Sequence, residues 1–207
     1  MKKCAVVFDF GGVMTTSTMP RRVQEVAKAN NIPWEAILAG FAKYRHAYDA
    51  GNISLIDLYK NTWRDAALDV SDELTAKIIE ADRASWLYRN ERTRDWMRKL
   101  KAEGRKIGIL TNMAPDFAPL FKEHFADFIE IADAMVISGL EHMHKPNRDI
   151  YDLEQARMNL EPGRLIFIDD VEENCVGARA AGWKAIRFVS NDQVESDFAK
   201  LIAEEEV

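Results

Sequence analysis

The sequence predicts an α/β fold in which a doubly wound parallel sheet carries an inserted all-helical cap. From about residue 93 onward, apolar β-branched segments alternate with helical patterns, which is typical of a Rossmann-like sheet whose strands are buried on both faces. Residues 16–88 break this alternation, because they hold four consecutive helical patterns and no convincing strand. We therefore expect a core formed by residues 1–15 and 89–207 and a helical cap formed by residues 16–88.

Short, continuous apolar runs predict the strands of the core. These runs are Cys4–Phe8, Lys106–Leu110, Leu165–Ile168 and Lys184–Val189. The helical patterns between the later strands are Thr93–Glu103, Arg148–Leu160 and Glu172–Ala181. The first and last of these are followed by Gly104 and Gly182, and a glycine commonly ends a helix because it accepts the left-handed conformation.

The cap is predicted to contain four helices, each beginning at a proline or serine that favours a helix start. Their predicted spans are Pro20–Asn30, Pro33–Ala50, Ser54–Leu68 and Ser71–Trp86.

The overall charge argues against several classes of partner. The 207 residues include 28 Lys and Arg against 34 Asp and Glu, a net charge of −6, so nucleic acid and anionic membranes are not expected partners. The apolar run at Cys4–Phe8 is too short for a secretory signal, and no run approaches the ~18 residues of a membrane span. Cys4 and Cys175 show no disulfide or zinc spacing, which favours a reducing, cytoplasmic location. The oligomeric state is left open.

The candidate site begins with Asp9, which closes the first predicted strand and precedes Phe10-Gly11-Gly12-Val13. Ligands of open α/β sheets bind at the carboxyl ends of the strands, where Asp9 is expected to lie. Taken alone, such an aspartate is more often a turn or capping residue. Its interpretation therefore depends on the motifs that follow.

Three further motifs follow in order: Thr111-Asn112 after the second strand, Lys145-Pro146 before a helix, and Asp169-Asp170 at the end of a third strand. Together with Asp9 they resemble the haloacid dehalogenase superfamily of phosphatases, and the resemblance covers almost the whole chain. It implies that Asp9 attacks phosphorus to form an aspartyl-phosphate, which water then hydrolyses.

The same motifs supply candidates for binding phosphate and metal. The hydroxyl of Thr111 and the backbone N–H groups of Gly11, Gly12 and Asn112 are predicted to bind phosphate oxygens. The resemblance implies that Lys145 touches both nucleophile and phosphate. Adjacent carboxylates repel each other unless a cation is present, so Mg²⁺ is the expected cofactor. Its predicted ligands are Asp9, the carbonyl of Gly11, Asp170 and, directly or through water, Asp169, with Asn174 as possible support for the metal shell.

One position departs from the superfamily pattern, because Gly11 stands where most of its phosphatases have the aspartate that protonates the leaving oxygen. The resemblance implies a phosphatase acting on a small phosphorylated metabolite, in a branch that includes sugar-phosphate phosphatases. A 2-haloacid dehalogenase using Asp9, and a catalytically silent binding protein, are the alternatives. Candidate substrate contacts in the cap are Arg21, Arg22, Arg45, His46, Tyr48 and Trp86. Candidate replacement proton donors are Asp49, His46 and His144.

Overall fold

The computed structural model describes residues 3–16 and 20–203. Its single sheet has five parallel strands in the order β3-β2-β1-β4-β5. The strands are β1 Ala5–Phe8, β2 Ile107–Thr111, β3 Ala134–Ile137, β4 Leu165–Asp169 and β5 Lys184–Arg187. The predicted doubly wound α/β fold is thereby confirmed. The short edge strand β3 was not predicted, since an apolar run of four residues does not by itself distinguish a strand from a helical turn.

Eleven helices surround and extend this sheet within the described residues. The helices that precede β2 are α1 Arg21–Ala29, α2 Trp34–Asp49, α3 Leu55–Asp65, α4 Asp72–Ser85 and α5 Glu91–Ala102. The helices after β2 are α6 Ala118–His124, α7 Ala126–Ile129, α8 Ser138–Glu141, α9 Arg148–Met158, α10 Glu172–Ala180 and α11 Asn191–Ala203. No helix in the described part of the chain is long and apolar enough to cross a bilayer.

Two apolar clusters cover the two faces of the sheet. Side chains of β1 alternate between them, because successive strand residues point to opposite faces. Val6 and Phe8 pack in one cluster with Trp96 of α5 and Phe121 of α6. Val7 packs in the other, which holds residues of α9 and α10. The central strand is therefore buried on both sides, which holds its carboxyl end in a fixed position.

Helices α1 to α4 share a third apolar cluster of their own. Within it, α2 and α3 approach closely at Gly40, where a Cβ atom would lie 1.9 Å from Oγ1 of Thr62. The chain enters and leaves this helical unit side by side, since Thr15 and Arg89 form an antiparallel bridge. The predicted boundaries between core and cap fall at this bridge, but the division into two domains stays a prediction. Residues 1–2, 17–19 and 204–207 of the predicted domains lie outside the described residues.

A buried carboxyl in the second cluster makes stability depend on pH. Glu154 of α9 is fully buried, and neither carboxyl oxygen has a hydrogen-bond partner among the described residues. The carboxyl occupies the space over Gly108 of β2, where a Cβ atom would lie 2.3 Å from Oε1. Burial raises the pKa of Glu154 from 4.5 to about 8, and the opposing charge of Arg157 is the weaker influence. Folding therefore favours the protonated acid.

We expect Glu154→Gln to flatten the fall in stability between pH 5 and 8. A carboxyl whose pKa is higher in the folded state stabilises the protein below about 4.5 and loses that contribution as pH rises towards about 8. For the wild type this loss is roughly 3 kcal/mol, and a neutral amide does not titrate. Urea unfolding at pH 5 and pH 8 measures the difference. The matched control is Glu123→Gln on the exposed face of α6. Equal pH slopes in wild type and Glu154→Gln would contradict this account.

Candidate active site

The carboxyl ends of the three central strands bring the predicted polar residues to one edge of the sheet. Asp9 directly follows β1, Asn112 directly follows β2, and Asp169 is the last residue of β4. Phe8 is in register with Ile109 and Ile168, so the strands end at the same level. The backbone N–H of Asp9 also donates to the carbonyl of Ile168 at 2.9 Å. The sheet itself therefore assembles the site.

Lys145 links the carboxylates of two strands. Its side chain is 1% exposed, and its ammonium group donates to Oδ1 of Asp9 at 2.8 Å, Oδ2 of Asp169 at 2.6 Å and the carbonyl of Leu110 at 3.1 Å. Burial alone would lower the pKa of Lys145, but the charges of Asp169 and Asp9 outweigh it and hold the pKa above its ordinary value. Lys145 is therefore a fixed positive charge at the strand ends.

The side chain of Asn112 positions this lysine. Its Oδ1 accepts from the backbone N–H of Lys145 at 2.8 Å, and its Nδ2 donates to the carbonyl of Lys145 at 3.0 Å. The sequence had suggested only the backbone N–H of Asn112 as a phosphate ligand. A second restraint comes from α10, where Gly177 packs so closely that a Cβ atom would lie 2.8 Å from the carbonyl of Pro146. Nothing in the spacing of the motifs could show that these segments meet.

The two adjacent acids at the end of β4 have different surroundings. Asp169 is fully buried and accepts from Nδ2 of Asn174 at 3.1 and 3.0 Å and from the backbone N–H of Val171 at 2.8 Å. Asp170 is only partly buried and lines the cavity described below. Asn174, which the sequence analysis placed in support of the metal shell, holds the carboxylate of Asp169, and its role towards a metal stays a prediction.

Asp9, Asp169 and Asp170 offer carboxylate oxygens that all lie within 4.8 Å of one another. Burial raises the pKa of Asp9 to about 7, although Lys145 opposes this shift, and burial together with Asp169 raises the pKa of Asp170 to about 6. Carboxylates this close disfavour each other's ionised form unless a cation lies among them. These residues could therefore hold a divalent cation.

The two glycines in the turn after Asp9 have different backbone conformations. Gly12 has a φ of +68°, a left-handed conformation that glycine adopts without strain. Its N–H donates to the hydroxyl of Thr15 at 3.4 Å. Gly11 has an ordinary φ of −63° and lines the cavity. Thr111 is buried at the end of β2, and neither Thr111 nor Gly12 is part of the cavity lining.

A cavity of about 200 Å³ lies between the strand ends and helices α2 to α4. Of the predicted site residues, Asp9, Gly11, Asn112, Lys145 and Asp170 line it. Of the predicted cap contacts, Arg45, Tyr48 and Trp86 line it, whereas Arg21, Arg22 and His46 do not. Asp49 also lines it, while His46 and His144 lie against each other, with ring centroids 5.3 Å apart.

The sequence analysis missed most of the apolar lining of this cavity. The missed residues are Phe10, Leu55, Met113, Ala114, Phe117 and Val171. Apolar residues in loops and on helices usually belong to a core. The sequence therefore carried no signal that would have separated these side chains from ordinary core residues.

Comparison with known families identifies the chain. The model of the haloacid dehalogenase-like hydrolase family matches residues 5–182. The protein belongs to the haloacid dehalogenase-like hydrolase family. The resemblance inferred from the four motifs is confirmed at this level, and the chain is a hydrolase of that family.

Individual relatives of this hydrolase include enzymes with different names. It is 28% identical over 184 aligned residues to the sesquiterpene phosphatase astK of Aspergillus oryzae. The alignment covers 86% of each chain. Its fold is similar to that of a haloacid dehalogenase family enzyme from Bacteroides thetaiotaomicron in complex with magnesium and inorganic phosphate, with a TM-score of 0.66, 19% identity and 91% and 96% of the two chains covered. It is also similar to L-2-haloacid dehalogenase from Xanthobacter autotrophicus, with a TM-score of 0.67, 18% identity and 96% and 83% covered.

Proposed function

We propose that this hydrolase is a Mg²⁺-dependent phosphomonoesterase that acts on a small phosphorylated metabolite. The observation that carries the proposal is the buried ammonium of Lys145, which joins Asp9 to Asp169 beside the further carboxylate of Asp170. This arrangement offers a nucleophile, a positive charge for the phosphoryl oxygens and ligands for a metal. The phosphatase name of the Aspergillus oryzae relative and the magnesium and phosphate bound to the Bacteroides enzyme support it.

Asp9 would supply the nucleophile. Its Oδ1 is engaged by Lys145, whereas Oδ2 lies on the side of Gly11, 4.0 Å from the position of a Cβ atom there. In the proposed reaction Oδ2 forms a bond to phosphorus while the bond between phosphorus and the leaving oxygen breaks. Water then attacks the phosphorus of the aspartyl-phosphate and releases phosphate and the free carboxylate. Lys145 would stabilise the charge on the phosphoryl oxygens in both steps.

The donor set fits Mg²⁺. Three carboxylates and one ammonium group leave an excess of negative charge at the strand ends, and hard oxygen ligands are those that Mg²⁺ prefers. Asp9, Asp169, Asp170 and the carbonyl of Gly11 are the proposed ligands. When bound, the metal would neutralise charge on a phosphoryl group that three carboxylates would otherwise repel.

Removal of divalent cations is expected to abolish hydrolysis of 4-nitrophenyl phosphate, because the excess of carboxylates would then repel the dianion. We expect a loss of at least ~100-fold in kcat/KM in excess chelator and full recovery on adding Mg²⁺. The release of 4-nitrophenol measures both. Undiminished turnover in chelator would contradict the proposal. Binding of Mg²⁺ and phosphate without turnover on any phosphate ester would instead favour the silent binding protein.

One observation favours a second candidate function, a 2-haloacid dehalogenase. Gly11 offers no proton donor beside Asp9, and a halide leaves without being protonated. The fold shared with the Xanthobacter dehalogenase is compatible with either chemistry. Against it, the paired acids Asp169 and Asp170 would have no role in a reaction that needs no metal. Halide release from 2-chloropropionate in excess chelator would establish this candidate instead.

The missing acid makes the rate depend on the leaving group. We expect kcat to fall steeply as the pKa of the leaving alcohol rises, because general acid catalysis is worth about 10² to 10⁴ in rate. Position 11 has room for an acid, since a Cβ atom there would meet only Cζ3 of Trp86 at 3.6 Å and Oδ2 of Asp9 at 4.0 Å. Gly11→Asp is therefore expected to accelerate alkyl esters more than aryl esters.

Gly11→Asn is the matched control, since it has the same shape and no acidic proton. Rates over a graded series of esters of similar size measure the effect. A flat series in the wild type, with chemistry shown to be rate-limiting, would mean that another residue donates the proton. Asp49 lines the cavity and would then be the first residue to replace as a proton donor.

A further inference from the structure

Beyond the carboxylates, the walls of the cavity are mainly apolar. Leu55 of α3 and Trp86 at the end of α4 line it from the helical side. Phe10, Met113 and Phe117 line it from the core side. The indole ring of Trp86 lies next to Gly11, with Cζ3 3.6 Å from the position of a Cβ atom there. The leaving group of a phosphate held at Asp9 would therefore meet an aromatic face where most phosphatases of the superfamily have a carboxyl group.

The carboxylates of the helical wall already have hydrogen-bond partners. Nε of Arg45 donates to both carboxylate oxygens of Asp49 at 2.9 Å, and its guanidinium lies 5.3 Å from the centre of the Trp86 ring. Asp82 accepts from the hydroxyl of Tyr59 at 2.6 Å and from Nε1 of Trp86 at 2.9 Å. These bonds fix the indole and occupy the carboxylates of Asp49 and Asp82, whereas the two terminal nitrogens of Arg45 make no hydrogen bond within the described residues.

Tyr48 is also hydrogen-bonded within the protein, whereas Arg83 is only partly bonded. The hydroxyl of Tyr48 donates to Asp116 at 2.9 Å. Arg83 contacts the same carboxylate at 3.4 Å, and its buried Nε has no hydrogen-bond partner within the described residues. Apart from Arg45 and Arg83, the polar groups that the hydroxyls of a sugar would face on this wall are already bonded, and a buried hydroxyl without a partner lowers affinity. Arg45, through its terminal nitrogens, and Arg83 are the two groups of this wall that could favour a second anionic group on the substrate.

From this lining we infer that the cavity takes the phosphate monoester of an apolar ring alcohol, and that Trp86 selects it. The inference rests on the proposed phosphatase function and departs from the sugar phosphate suggested by the resemblance. The volume of about 200 Å³ is below the ~300 Å³ at which pockets for drug-sized ligands begin, which limits the leaving group to about one ring. Water supplies the oxygen that phosphate gains, and the alcohol leaves with the proton.

A matched pair of esters tests the substrate class: cyclohexyl phosphate and myo-inositol 1-phosphate. Both place phosphate on a secondary carbon of a six-membered ring, but one ring is apolar and the other carries five further hydroxyls. The hydroxyls make inositol the better leaving group, so the chemical step alone favours inositol phosphate. We expect kcat/KM with Mg²⁺ to be at least ~100-fold higher for cyclohexyl phosphate. Equal values, or a preference for the inositol ester, would overturn the inference.

Two further substrates, phosphoglycolate and 4-nitrophenyl phosphate, distinguish a wrong substrate class from a wrong proposed function. A preference for phosphoglycolate over cyclohexyl phosphate would show that Arg45 or Arg83 binds a second anionic group, and would also overturn the inference. If 4-nitrophenyl phosphate and both ring esters are all inert with Mg²⁺, the proposed function itself fails and the inference fails with it. Hydrolysis of 4-nitrophenyl phosphate together with a preference for inositol phosphate would overturn only the substrate class.

Variants of Trp86 test its role as the selecting residue. Trp86→Ala is expected to lower kcat/KM for cyclohexyl phosphate at least ~10-fold, mainly through KM, and to reduce the preference over inositol phosphate by a similar factor. Trp86→Phe keeps an aromatic face but loses the bond to Asp82, and should retain most of the preference. The inhibition constant of inorganic phosphate, which lacks the ring, should change little in either variant. Equal losses on both ring esters in Trp86→Ala would show that Trp86 does not select.

Discussion

Asp9→Asn is expected to lower kcat for 4-nitrophenyl phosphate by at least ~10⁴-fold while the protein stays folded. An amide is a poor nucleophile, but it occupies nearly the same volume as the carboxylate. The amide oxygen can still accept the hydrogen bond that Lys145 donates at 2.8 Å. The loss should therefore be chemical and not structural. Steady-state kinetics together with circular dichroism and a thermal melt measure both quantities.

Asp133→Asn is the matched control for this substitution. Asp133 lies at the other end of the sheet, where its carboxylate accepts from the backbone N–H of Ile107 at 2.8 Å. An asparagine can still accept that bond, so turnover should be close to that of the wild type. Near-normal activity in Asp9→Asn, with deamidation excluded by mass spectrometry, would show that the reaction does not pass through an aspartyl-phosphate.

Lys145→Met is expected to abolish turnover and to destabilise the metal-free protein by about 3–5 kcal/mol. Methionine fills a similar space but removes the positive charge between Asp9 and Asp169, so two buried carboxylates then face each other without a cation. Urea unfolding measures the loss of stability, and isothermal titration calorimetry with inorganic phosphate measures the loss of phosphate binding. Added Mg²⁺ should stabilise Lys145→Met more than it stabilises the wild type, because it would supply part of the missing positive charge.

Lys43→Met provides the matched control. Lys43 also pairs with a carboxylate, that of Asp65 at 2.7 Å, but the lysine side chain is 61% exposed. Water and dissolved ions screen such a surface pair, so its removal should change stability little. If the two lysine variants were equally stable, burial would not explain the contribution of the Lys145 ion pairs to stability.

The sequence predicted the parts of the fold that repeat a simple pattern. Buried parallel strands are continuous apolar runs, and a polar residue that follows such a run must lie at the edge of the sheet. This pattern predicts that Asp9, Asp169 and Asp170 lie together, and the structure brings their carboxylate oxygens within 4.8 Å of one another. The identity of the nucleophile and of the metal ligands stays a prediction.

Contacts between distant segments were not predictable in this way. The side chain of Asn112 holds the backbone of Lys145, a pairing that depends on how two loops meet. The predicted role of Thr111 rested on its place at the end of a strand, but the structure buries this residue outside the cavity lining. Strand β3 was missed because its four residues carry no turn or periodicity signal of their own. Each case depends on tertiary packing, which local patterns do not encode.

The central position of β1 has a consequence for how the protein is made. All four residues of this strand are buried, and its two neighbours in the sheet, β2 and β4, begin at Ile107 and Leu165. At a ribosomal rate of about 5–20 residues per second, roughly 8 to 30 s pass between the synthesis of β1 and that of its second neighbour, β4. During that time this apolar strand is without its partners, whereas helices α1 to α4 can already pack on one another. Helices α1 to α4 can therefore pack while the sheet edge that carries the candidate site is still incomplete, and β1 exposes apolar surface until β2 and β4 have been made.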